Sequence, residues 1–521
     1  MGLARDALLV RALGVSAVGT AFNIAFQVPN TFRRLFGEGA LSAAFIPEYA
    51  QLLRREPGLA HRFASLNTAL LTLGLGALVV LMEGALGLAL ATANLSAQGR
   101  AALVYLAVML PYMPLVCLTA ILGAMLQCHA RFAAQAGAPI ILNAAMIAAA
   151  WTWGHTENAT QNDTALAVSF AVTLAGFLQV AWCLWDLRRV AHWSRLFAGA
   201  AAPTRRVIAR MGPVVLGLGT IQIGTLIESW LLVGWPLYLG PTILGAAYPL
   251  DASTGAALYN AQRLYQFPLG VFGIALATAV FPLLSRQADL PHAFASTLRR
   301  GLRLSLFIGL PATLGLLFVA RDLTATIYLG GQVTSPDADR MARLLTLYAA
   351  MVGAYSLTHV LTRAFYAKGD TRFPTRISIT TVFLSLILAA SLMWPLGECG
   401  LALASSLAAT LQLALLARAA HTRLGPTPTS PLFDAATLRA FRRIFAASLL
   451  MLAALWLLRF LKPPGDTAAW SNHALRLTLD SALGLIAYAA AAWLLCREEI
   501  HSLFDPHPPT PPSSPQAPPP A

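Results

Sequence analysis

Apolar runs long enough to cross a bilayer recur from one end of this 521-residue chain to the other. A transmembrane helix needs about 20 mostly apolar residues. Fourteen candidate runs can be drawn, at 2–16, 18–51, 64–92, 100–127, 136–154, 164–187, 205–235, 254–285, 298–320, 341–367, 373–395, 399–420, 438–461 and 473–496. Several exceed the bilayer thickness, so they tilt or project beyond it. Only 11% of residues are charged, against about 25% in soluble domains. Backbone polar groups in lipid must be satisfied within the segment, which helices do. The expected fold is therefore an all-α polytopic membrane protein of about fourteen transmembrane helices.

The net charge is +14. In a soluble chain that balance points to nucleic acid. Here the basic residues cluster in short connections between spans, the pattern that sets membrane orientation. Arg54, Arg55 and Arg62 follow span 2, and Arg188, Arg189, Arg195, Arg205 and Arg206 follow span 6. Arg286, Arg299 and Arg300 follow span 8, Lys368 and Arg372 follow span 10, and Arg423, Arg439, Arg442 and Arg443 follow span 12. HTENATQND (155–163) and the 236–253 connection contain no Lys or Arg. Both termini are thus expected in the cytoplasm, with no cleavable signal. The connection 321–343 departs from this pattern, its Arg321, Arg340 and Arg343 balanced by Asp322, Asp337 and Asp339. The five cysteines have no metal spacing; they read as packing residues, and neither metal nor cofactor is expected.

The two halves repeat weakly. FGEGALSAAFIP (36–47) matches FGIALATAVFP (272–282), each preceded by a proline, Pro29 and Pro268. Arg131-Phe132 matches Arg372-Phe373, and Leu178-Gln179 matches Leu411-Gln412, at similar offsets. The expected organisation is an N-lobe over 1–190, a cytoplasmic linker at 191–204, a C-lobe over 205–424, two further spans in 425–500 and a disordered proline-rich tail at 501–521. The two six-helix lobes would be pseudo-symmetric about an axis along the membrane normal. A site between paired lobes at mid-membrane is a transporter design.

Charge inside a membrane is expensive, so it normally faces a partner or a wet cavity. In span 2, Arg33, Gly37, Ala40 and Ala44 fall on one α-helical face, an arginine on a stripe of small residues. Arg34 and Glu38 are spaced i, i+4 and can pair. Arg33 has no acid at i±3 or i±4, and it reads as an unpaired cavity cation. In span 1, Arg5 and Asp6 are sequence neighbours that point apart, so their pairing is expected only indirectly; Arg5 also fits as an anchor at the membrane edge. Arg263 sits in YNAQRLYQFPLG with no acid nearby and reads as a ligand for an external anion, facing Arg33 from the other lobe. Glu228, alone in TLIESWLL, fits either a coupling acid or a partner for a cavity arginine. Guanidinium groups bind phosphate bidentately, so the implied substrate is anionic, with phosphate favoured.

Several segments, RDALLVRALG, AFNIAFQVPNTFRRLFGEGALSAAFIPEYAQ, MGPVVLG, RFAAQAGAPIILN and QRLYQFPLGVFGIALATAVFPLLS, resemble the MurJ/MviN lipid II flippases of the MOP (MATE-like) superfamily, nearly end to end. The resemblance implies two six-helix lobes plus two C-terminal helices forming a groove for the lipid tail. It implies a transporter, not an enzyme: a monomer in the bacterial inner membrane that flips undecaprenyl-diphosphate-linked muropeptide for peptidoglycan synthesis. It places diphosphate-binding arginines at Arg5, Arg33 and Arg263. The chain departs from the family pattern in three places. No S-R-x-L-G motif precedes Gly2. Thr20 stands where an aspartate is common, and Gln262 and Gln266 stand where acids often flank the span 8 arginine. Glu228 could serve a sodium site, but span 11 offers no carboxylate, which argues against one and leaves the membrane potential as a possible energy source. Two alternatives are a related exporter of another polyprenyl-linked glycan or a drug, and a membrane glycosyltransferase using Asp251 or the Asp337/Asp339 pair.

Overall fold

The computed structural model describes residues 1–424, 432–461 and 470–504, with the side chains at 37–40, 42–43, 213–218, 221, 272, 461 and 502–504 outside the description. Helices occupy every candidate span. Eleven of the described helices are long and apolar enough to cross a membrane. The segments at spans 1, 2 and 7 are helical but fall outside that set, which is consistent with fourteen crossings. Span 1 is only Gly2–Leu13. Span 2 is charged and is divided into Ala17–Phe32, a π-helical stretch Arg33–Ala40, and Leu41–Arg55. Span 7 runs Ala201–Ile227 and turns π-helical over Glu228–Val233.

The remaining helices reach past their apolar centres. Span 3 is Pro57–Thr92, and span 4 runs Ala97–Met109 and Tyr112–Cys128. Span 5 is Ala133–Gly154 and span 6 is Gln161–Leu187. Span 8 comprises Thr254–Pro268, a π-helical Leu269–Ile274, and Ala275–Arg286. Spans 9 to 12 are Pro291–Tyr328, Ser335–Ala367, Arg372–Leu396 and Glu398–Arg423. Spans 13 and 14 are Ala435–Leu461 and Trp470–Leu495, followed by a short helix Arg497–Phe504. Hydropathy detects only the part of a helix that meets lipid. The connection expected over 321–343 is therefore mostly helix, with a turn between Tyr328 and Ser335. Two two-residue strands, β1 (Thr242–Ile243) and β2 (Ala246–Ala247), pair antiparallel in the 236–253 connection. Residues 505–521 of the proline-rich tail lie outside the described residues, whereas 501–504 close the last helix.

The repeat reappears as shared local structure. Pro29 and Pro268 each lack the N–H that would bond one turn back, and each precedes a π-helical stretch. Gln179 of span 6 donates to the Ala138 carbonyl of span 5 at 2.7 Å, and Gln412 of span 12 donates to Ser378 of span 11 at 3.0 Å.

The chain forms two compact units, Met1–Arg263 with Ile327–Leu344 and Val382–Ala404, and Leu264–Thr326 with Leu345–Thr381 and Ser405–Ala521. In the first unit, buried Phe22, Phe26, Tyr105, Met109 and Met113 form one core, and Phe45 stacks on Tyr49 and Phe63 at 5.4 and 5.2 Å in another. Lipid is as apolar as these side chains, so close packing rather than water exclusion holds the helices together. Span 2 meets span 8 with little between them. Thr20 accepts a hydrogen bond from the Ala256 N–H at 2.9 Å, and a Cβ on Gly255 would lie 2.4 Å from the Thr20 methyl. In the second unit, Phe294, Leu298, Leu361 and Phe365 lie at the centre of one core. There Asp322 is not a loop residue. It is 1% exposed in span 9, accepts from Arg459 of span 13 at 3.2 Å and contacts His473 of span 14 at 2.8 Å.

Candidate functional site

The first unit contains a cavity of about 290 Å³ whose lining includes Arg5, Arg33, Arg34 and Arg263. No acidic side chain lines it among the described residues. Spans 1, 2, 4, 5, 6 and 8 contribute to its wall, so residues far apart in sequence meet here. Span 5 presents Gln135, Ala138, Pro139, Leu142 and Asn143. That spacing is i, i+3, i+4, i+7, i+8, one face of an α-helix.

Arg5 corrects one expectation. Its Nη2 lies 2.6 Å from Asp6 Oδ1 and its Nε 3.0 Å from the same atom, so the neighbours pair directly. A guanidinium on three methylenes is long enough to fold back across one residue. Nη1 of Arg5 donates to Asn143 Oδ1 at 3.0 Å. The surroundings of Arg263 also differ from expectation. The adjacent sequence has no acid, but Asp6 supplies one from span 1, its Oδ2 3.7 Å from Arg263 Nε. Arg263 further donates to the Tyr259 hydroxyl and lies over that ring at 4.5 Å. Asp6, itself 6% exposed, thus lies behind the cavity wall and pairs with two of its arginines.

Arg33 is not the unpaired cation the sequence indicates: its Nε donates to Asn30 Oδ1 at 3.0 Å. The partner at i−3 is a neutral amide, which a search for acids overlooks. The stripe drawn through Arg33, Gly37, Ala40 and Ala44 assumed 3.6 residues per turn. Residues 33–40 are π-helical, with i→i+5 bonding, so that phase does not hold. An i, i+4 pair such as Arg34 and Glu38 stays on nearly one face with or without the π-helical winding. Arg34 lines the cavity, and the Glu38 side chain lies outside the described residues. Glu228 opens the π-helical end of span 7 and makes no ion pair among the described residues. The amides Asn30, Gln135, Asn143 and Gln179 were missed as site residues. For Gln135 and Asn143 the signal was the helical spacing in RFAAQAGAPIILN.

The carboxylates considered for glycosyl transfer are occupied. Asp251 accepts from Ser253 at 2.7 Å and from Arg340 at 3.0 Å, and Arg340 also grips Glu398. Burial raises the Asp251 pKa, but Ser253 and Arg340 outweigh it and hold the carboxyl below the usual aspartate value. Asp337 accepts from the Thr334 N–H and hydroxyl at 3.0 and 2.6 Å, a helix cap.

Residues 9–498 match the family model described as lipid II flippase MurJ. A probable lipid II flippase MurJ of Vibrio cholerae is 31% identical, covering 95% of this chain and 93% of that protein. Another from Rhizobium meliloti is 30% identical over 94% of this chain and 89% of its own length. Among solved structures, lipid II flippase MurJ in an inward closed conformation superimposes with a TM-score of 0.77 at 22% identity, covering 96% of this chain and 97% of that one. An inward-facing MATE-family multidrug transporter of the MOP superfamily gives 0.68 at 12% identity over 81% and 94%. At these identities the structural matches speak for the fold.

Proposed function

The chain belongs to the lipid II flippase MurJ family, and on that premise we propose that it carries lipid II across the bacterial inner membrane by alternating access, with Arg5, Arg33 and Arg263 binding the diphosphate. The supporting observation is the cavity itself, which gathers four guanidinium groups and no acid among its described lining residues. A diphosphate offers charged acceptors that forked donors match in pairs. Arg34 adds a fourth cation at the same wall. Arg5 and Arg263 are each partly neutralised by Asp6, so they can be buried without ligand and still exchange partners when an anion enters.

The polyprenyl tail stays in the bilayer while the head group crosses, and no covalent bond changes. The sequence repeat assigns 1–190 and 205–424 as the two rocking lobes. The basic connections place both termini in the cytoplasm, and the protein acts as a monomer. The membrane potential supplies energy, since span 11 has no carboxylate for a cation, and Glu228 is a candidate coupling acid. An exporter of cationic drugs needs the opposite lining, so the runner-up is transport of another polyprenyl-diphosphate glycan.

Lipid II binding to the purified protein and rescue of a flippase-depleted strain test the reading. Arg33→Ala and Arg263→Ala should each weaken binding about 10- to 100-fold, the worth of a lost charge-assisted hydrogen bond, and should abolish rescue. Undiminished binding and rescue by both variants would overturn the assignment.

A further inference from the structure

The arginines account for only part of the cavity's hydrogen-bonding capacity. Asn30, Gln135 and Asn143 also line it, and the orientations of two of these amides follow from their partners. A guanidinium can only donate. Arg33 Nε therefore faces the carboxamide oxygen of Asn30, and Arg5 Nη1 faces that of Asn143. In each case the NH₂ group is turned away from the arginine. The third amide, Gln135, pairs with the Gln127 carboxamide at 2.5 Å, a contact that leaves at least one Gln135 N–H unused whichever amide donates, and Gly123 leaves the room Gln135 needs, since a Cβ there would lie 2.8 Å from the carboxamide. The NH₂ groups of Asn30 and Asn143 donate to no described protein atom. All three residues are half-buried, so these donors remain accessible from the cavity.

Resting on the flippase reading above, we propose that Asn30, Gln135 and Asn143 form a neutral donor subsite beside the arginines, and that it binds carbonyl and hydroxyl oxygens of the sugar attached to the diphosphate. The division follows from desolvation. A guanidinium facing a neutral oxygen loses hydration without gaining a counter-charge. A neutral amide N–H meets a neutral carbonyl or hydroxyl at far lower cost. The arginines therefore hold the charged diphosphate whatever it carries, and the amides distinguish a sugar-bearing lipid from a bare one. A site that hydrogen-bonds a ligand group rejects the analogue lacking it, because its own polar atoms are left unpaired.

The test compares two ligands on the full chain in detergent: lipid II, and undecaprenyl diphosphate, which lacks the sugar. Gln135→Met keeps the side-chain volume and removes no hydrogen-bond partner of an arginine, whereas Asn143 holds Arg5 Nη1 and is left intact. The variant should weaken lipid II binding by roughly 5- to 10-fold, the loss of one buried hydrogen bond, and leave undecaprenyl diphosphate within about twofold. Thermal melting of the variant checks that it is folded. Parallel weakening of both ligands by Gln135→Met overturns the subsite, as does no weakening of either. Arg33→Ala, measured alongside, should weaken both ligands. If it leaves undecaprenyl diphosphate binding intact, the diphosphate reading fails, whatever the amide variant does.

Discussion

Asp6 is the residue on which the electrostatics of the site turn. It is 6% exposed and lies within ion-pair distance of both Arg5 and Arg263. Removing one member of a buried charged group leaves the others uncompensated. Asp6→Asn keeps the shape and one acceptor but not the charge. The variant should lose about 2 kcal/mol of stability, the scale of a hydrogen bond to a charged group. It should also gain more thermal stabilisation from a bound diphosphate lipid than the wild type does, because the ligand then supplies the missing charge. Melting temperatures with and without undecaprenyl diphosphate check both parts; an unchanged ligand response would separate Asp6 from the binding site. That Arg5, Arg33 and Arg263 stand out was legible in the sequence because charge in an apolar run is conspicuous, and the structure brings all three to one cavity. Their partners were not. Asp6 reaches Arg263 across two spans, and Asn30 and Asn143 carry no charge to attract attention.

At the scale of elements, helix positions were legible nearly throughout, since a 20-residue apolar period leaves little choice. The phase within span 2 was not. A π-helical stretch is set by backbone bonding after Pro29, and no hydropathy pattern reports it. Helix ends were misjudged where polar residues extend a helix beyond lipid, and the Asp322 cluster was lost for that reason. Asp322 joins span 9 to spans 13 and 14 through Arg459 and His473. Spans 13 and 14 lie outside the six-plus-six repeat, so this cluster is a polar tie holding them to it. Asp322→Ala leaves a guanidinium and an imidazole without their common acceptor. It should cost about 3 kcal/mol, the lower end of the range for a broken buried pair, seen as a lower melting temperature in detergent. Arg33-dependent lipid binding should persist in the molecules that remain folded. A melting temperature equal to that of the wild type would make the cluster incidental.

At the scale of the whole molecule, the question is whether transport requires the contact between spans 2 and 8 to open. These spans are repeat-mates, each with a proline and a π-helical stretch, and they meet at Thr20 and Gly255. A Cβ built on Gly255 lies 3.3 Å from Thr20 Cβ, just short of the separation of about 3.5–4.5 Å usual for a disulfide. The doubly substituted Thr20→Cys/Gly255→Cys chain, with the five native cysteines replaced, should therefore cross-link with small backbone adjustment. If the spans must part for the head group to leave, oxidation should stop lipid II transport in vesicles and reduction should restore it. Binding to the cavity should survive oxidation, because Arg33 and the amides of span 5 lie away from the cross-link. Transport that continues at full rate through a completely cross-linked population would mean that this end of the cavity never opens. The alternating-access reading would then have to be abandoned, although the arginine site could stand.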